Sequence, residues 1–65
     1  MNHIDDCNYE IAVLRRNIVD TYNAASQALS RADYEASALM LETAEDLQAE
    51  LRDALAYREH QDDVY

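Results

Sequence analysis

The residues able to donate protons, attack an electrophile or hold a metal are two histidines, one cysteine and fourteen carboxylates. His3 and Cys7 stand one helical turn apart, with Asp5 and Asp6 between them. A structural zinc site needs four nitrogen or sulfur ligands in a closed shell, and this corner supplies two. A nucleophilic cysteine needs a base and a nearby cation to hold it as thiolate. Cys7 has only His3 within reach and no arginine within a turn. At a stripe position it reads as a small buried hydrophobe. His60 lies among Glu59, Asp62 and Asp63, again without a second nitrogen or sulfur ligand. Glu-x-x-His, the inward-facing pair of di-iron helical bundles, does not occur. With no glycine in the chain, no backbone loop is suited to cradling phosphate. These residues predict no catalytic centre, no metal and no cofactor, and the chain reads as a non-enzyme.

The carboxylates act together as a field. The net charge is −9, and it is uneven. Residues 1–32 carry three arginines against four acids, whereas residues 33–65 carry two arginines against ten acids. There is no lysine. Such a field repels nucleic-acid phosphates and anionic membranes and suits a basic protein surface. The opening MNHIDDCNYE lacks the basic start and apolar run of a secretion signal. Together with a single free cysteine this predicts a reducing cytoplasm.

The elements that must position these groups are helices. Gly and Pro are absent, and Ala, Leu, Glu, Arg and Gln favour helix almost everywhere. Ile4, Cys7, Ile11, Leu14, Ile18, Tyr22, Ala25 and Leu29 recur in steps of three and four, which makes one apolar stripe. The first five keep heptad spacing; between Ile18 and Tyr22 the spacing slips by one. A second stripe holds Met40, Ala44, Leu47, Leu51, Ala54 and Leu55, with Leu41 at its edge.

Periodicity alone leaves one long helix open, because Leu29, Ala32, Ala36, Met40 and Ala44 continue nearly in phase. Three features favour a reversal. The seam over residues 24–38 is thin, with Leu29 its only large member. Ser30 and Asp33 have the spacing of a capping box. Asp33 and Glu35 would open a second helix and Arg31 would close the first, as two macrodipoles require. The expectation is an all-α antiparallel helical hairpin within one domain. Helix 1 would span about 5–31, the bend 31–33, helix 2 about 34–59, and an acidic frayed tail 60–65.

Chains below roughly 70–80 residues rarely bury a sufficient core without staples. One cysteine cannot form an internal disulfide. Self-association is the remaining route: a homo-oligomer, simplest as a dimer forming a four-helix bundle. Its core would contain Ile11, Leu14, Ile18, Leu47, Leu51 and Leu55.

Two outward faces remain. Glu35, Glu42, Glu45, Asp46, Glu50 and Asp53 fall within about 140° of arc opposite the second stripe. Glu42, Asp46 and Glu50 form a column of one sign, in which each like-charge pair costs a few tenths of a kcal/mol. The column reads either as a solvated face that keeps the protein soluble or as a surface for a basic partner. On helix 1, Tyr9, Val13 and Arg16 cluster opposite the stripe, and Tyr and Arg are enriched at binding hot spots. Both sets are candidate protein-binding residues.

The plan of two helices, a tight acidic bend carried by RADYEA, and a bundle made by dimerisation resembles the Rop family. That resemblance implies RNA binding through polar and basic side chains of the first helices. Arg15, Arg16, Asn17 and Asn23 would fill that role, so a Rop-like RNA-binding bundle is the alternative function. In size and charge the chain is also similar to small acidic accessory and inhibitor proteins of bacteriophages. That likeness implies a regulatory adaptor or inhibitor acting by protein–protein contact.

Overall fold

The computed structural model describes the backbone of residues 3–64 and the side chains of residues 6–60. Two helices account for it: α1, His3–Ser30, and α2, Tyr34–Val64. The chain reverses between them, and the helices pack against each other. α2 runs on to Val64, past the end near residue 59 that the sequence suggests. No Gly, Pro or capping residue interrupts it there, so helix propensity carries it on. Arg52 and Arg58 therefore lie inside α2 and not in its last turn.

The reversal is made by the backbone. Arg31 N–H is shared between the carbonyls of Gln27 and Ala28, at 3.2 and 3.1 Å. Ala32 N–H donates to Leu29 O at 3.0 Å, and Asp33 N–H to Ala28 O at 2.9 Å. These nested bonds form a Schellman motif, whose residue after the cap takes the left-handed conformation. Here that residue is Ala32, with φ of 61°. An alanine accepts this at a cost of about 1–2 kcal/mol, because its Cβ approaches the following carbonyl. Asp33 then opens α2: its Oδ1 accepts from Ala36 N–H at 3.2 Å, the usual N-cap bond to the third helical residue. Ser30 takes no part in this cap. It is the last residue of α1, and its hydroxyl donates back to Ser26 O at 3.1 Å.

The heptad does not slip in α1. Cys7, Ile11, Leu14, Ile18, Ala25 and Ala28 are buried, and Thr21 is half-buried between them. The seam keeps its spacing through Thr21 and Ala28, and Tyr22 and Leu29 are displaced to its side. Leu29 is 56% exposed. Strict heptad spacing holds a seam facing its partner as the helices coil, and near the bend the residues buried in it are small: Ala25, Ala28, Ser37 and Ala44. In α2 the same spacing selects Ser37, Met40, Ala44, Leu47, Leu51, Ala54 and Arg58. The two seams run in opposite directions from the bend, so Leu14 is level with Leu51 and Ile18 with Leu47.

Burial is unequal. Ala28 and Ala44 are 0% exposed, yet among the described residues no large side chain is fully enclosed. Leu47, Leu51 and Leu55 are only half-buried, unlike Ile11, Leu14 and Ile18. The Cα trace measures 50 × 17 × 10 Å, one helix thick, so among the described residues nothing covers either flank of the seam.

Candidate functional site

The structure brings the acidic residues to one outer edge. Glu42, Glu45, Asp46, Glu50 and Asp53 are all exposed along α2. Helical spacing turns Glu42, Glu45 and Asp46 away from α1, because Ala44 and Ser37 on the opposite side are buried against it, while Glu50 and Asp53 border the cleft beside Cys7 and Glu10 of α1. Among the described residues the sole ion pair is Arg52 Nε to Asp53 Oδ1, at 3.7 Å, with both side chains open to solvent. Among the described residues the column Glu42–Asp46–Glu50 has no cation within ion-pairing distance.

Tyr9, Val13 and Arg16 occupy the outer edge of α1. Tyr9 is 74% exposed, and Val13 and Arg16 are exposed beside it. Because α1 and α2 present their seams to each other, these two candidate sites lie on opposite edges of the hairpin. A compact partner covers one or the other. The residues of the RNA alternative do not converge in this way. Arg15, Arg16 and Asn17 are consecutive and exposed, so they point about 100° apart around the helix.

The groups considered for metal or nucleophilic chemistry stay apart. Cys7 is a free, buried thiol in the seam. The side chains of His3, Asp5, Asp62 and Asp63 lie outside the described residues. His60 and Glu59 are exposed on α2. Among the described residues no three His, Cys, Asp or Glu side chains group as metal ligands. None of the described helices is long and apolar enough to cross a membrane.

Two cross-helix bonds escaped the sequence reading. Gln48 Nε2 donates to Tyr22 Oη at 2.9 Å, and Arg58 donates to Asn8 Oδ1 at 3.1 Å. Asn8, Tyr22 and Gln48 have a sequence signal in the rows beside the seam, and Arg58 belongs to the seam itself. Asn8, Arg15, Tyr22 and Leu29 recur every seven residues on α1, as do Leu41, Gln48 and Leu55 on α2. The Tyr22–Gln48 bond places these rows on one flank. The opposite flank is a shallow groove lined by Asn17, Asp20, Thr21 and Ala24 of α1 and by Leu39, Met40, Thr43 and Leu47 of α2. Further from the bend, Glu10 and Glu50 line a cleft with Cys7, Asp53, Ala54 and Tyr57.

Comparison of the chain with protein-family models, with curated proteins and with solved structures gives no match.

Proposed function

We propose that this protein is a small, non-enzymatic regulatory adaptor or inhibitor of the cytoplasm. It acts as a homodimeric four-helix bundle that binds a basic surface of another protein. The observation that carries the reading is the column Glu42–Asp46–Glu50, exposed and, among the described residues, without a cation in ion-pairing distance. Its self-repulsion costs a few tenths of a kcal/mol per pair, a cost that a complementary partner charge would reverse. Glu45 and Asp53 widen the same surface. Tyr9, Val13 and Arg16 offer a second contact on the far edge, apolar at its centre with a guanidinium beside it.

The divergence of Arg15, Arg16 and Asn17 favours this reading over a Rop-like RNA-binding bundle, because phosphate recognition needs cations gathered on one face. The test is capture of the native partner by immobilised protein at increasing salt. Replacing Glu42, Asp46 and Glu50 with Gln should weaken capture, and salt should weaken the wild-type interaction, since exposed charges are screened within about 8 Å at physiological ionic strength. If the triple variant binds normally but loses solubility, the column is a solubility device. Tyr9→Ala and Arg16→Ala then test the other edge. Retention of RNA in preference to protein would support the alternative.

A further inference from the structure

The hairpin has two uncovered flanks, and they differ in chemistry. The first carries Leu29 and Leu41 near the bend, then Tyr22 bonded to Gln48, then Arg15 and Leu55. Leu29, Leu41 and Tyr22 are exposed large apolar residues. Lower on this flank a cleft is lined by Leu51 and Leu55 between Arg52 and Glu59. Apolar groups thus occupy its length, with charges of both signs. The second flank carries Asp20 beside the groove near Leu47, and Glu10, Glu50 and Asp53 in the cleft beyond it. The charged residues lining the groove and the cleft, Asp20, Glu10, Glu50 and Asp53, are all acids, set beside the exposed apolar side chains of Leu39 and Tyr57.

A two-fold interface sets a surface against its own copy. Placed against itself, the second flank would bring acids toward acids across a partly desolvated interface, and like-charge juxtaposition there is costly. The first flank has no such conflict. It combines apolar side chains with the cations Arg15 and Arg52 and the carboxylate Glu59, so its copy does not meet it with charge of one sign throughout. We infer that a second copy of this chain docks on the flank defined by Tyr22, Leu29, Leu41, Gln48 and Leu55. The acidic groove and the acidic edge of α2 then stay open on the outside of the bundle. This assignment rests on the dimeric reading above and specifies which face forms it. It completes a helical stripe wide enough to contact two neighbours, as bundle helices require.

The test places a carboxylate on each flank of the full-length protein and follows mass by sedimentation equilibrium, with helicity by circular dichroism at the same concentrations. Leu29→Glu and Leu41→Glu modify the first flank; Leu39→Glu and Thr43→Glu modify the second. All four positions are exposed in the single hairpin, so none of these changes opens a cavity in its own seam. Wild type should show twice the chain mass of 7.5 kDa at low micromolar concentration. Leu29→Glu and Leu41→Glu should weaken the dimer by about tenfold or more, whether or not helix is lost with it. Leu39→Glu and Thr43→Glu should leave dimer and helix intact. Equal weakening by both pairs, weakening by the second pair alone, or no effect from any overturns the assignment while leaving a dimer. A wild-type monomer at that concentration overturns the dimer itself.

Discussion

The backbone N–H of Asp33 donates to the carbonyl of Ala28 at 2.9 Å, across the turn that ends α1. The carboxylate of the same aspartate accepts from Ala36 N–H in the first turn of α2. One residue therefore closes one helix and opens the next, which is why the connection needs only residues 31–33. Leaving α1 this way forces Ala32 to φ of 61°.

Ala32→Gly should therefore stabilise the protein by about 1 kcal/mol, because glycine adopts this conformation without a Cβ clash. The gain is partly offset by glycine's greater freedom in the unfolded chain. Urea denaturation at fixed protein concentration measures it, and a less stable variant would contradict the strained turn. Asp33→Ala should cost about 1 kcal/mol through loss of the cap. Ser30→Ala, whose hydroxyl bonds within α1, should cost less.

Burial predicts a ranking in the seam. Ile18 is buried and Leu47 only half-buried. Ile18→Ala should cost about 2–5 kcal/mol at any concentration that keeps the fold intact. The cost of Leu47→Ala should be smaller, since part of that side chain already contacts water. Chemical denaturation of both variants over a tenfold range of protein concentration checks this, and the transition should shift with concentration for an associating protein. A larger cost at Leu47 would show that a neighbouring copy encloses it.

Glu10 and Glu50 line one cleft although forty residues separate them in sequence. Spin labels at these two positions, in labelled protein diluted into unlabelled, should report a short distance set by helices packed at about 8–10 Å. A continuous helix would hold them roughly 60 Å apart, at 1.5 Å per residue. The same pair bears on salt dependence: Glu10→Gln should raise stability slightly at low salt and have little effect at high salt, as screening removes the repulsion.

The acidic column makes a prediction that separates stability from binding. Glu42, Asp46 and Glu50 changed together to Gln should raise the midpoint of thermal unfolding, by a few tenths of a kcal/mol for each like-charge pair relieved. If partner binding uses the column, affinity should fall in the same variant. Stability unchanged at low salt would mean that the column carries no repulsion.

Helix content was legible in the sequence because it follows from local preference: without Gly or Pro, and rich in Ala, Leu, Glu and Arg, the chain has little alternative. The outward position of Glu42, Asp46, Tyr9 and Arg16 was legible too, since helical phase is fixed by residue spacing. Tertiary packing decided which of several apolar residues form the seam. By hydrophobicity Tyr22 and Leu29 belong to it; by packing Thr21 and Ala28 replace them, in line with the small residues Ala25, Ser37 and Ala44 buried in the same half of the seam. The pairing of Tyr22 with Gln48 and of Asn8 with Arg58 depends on the antiparallel register. The turn itself sets that register, through an alanine held in a conformation that its side chain alone disfavours.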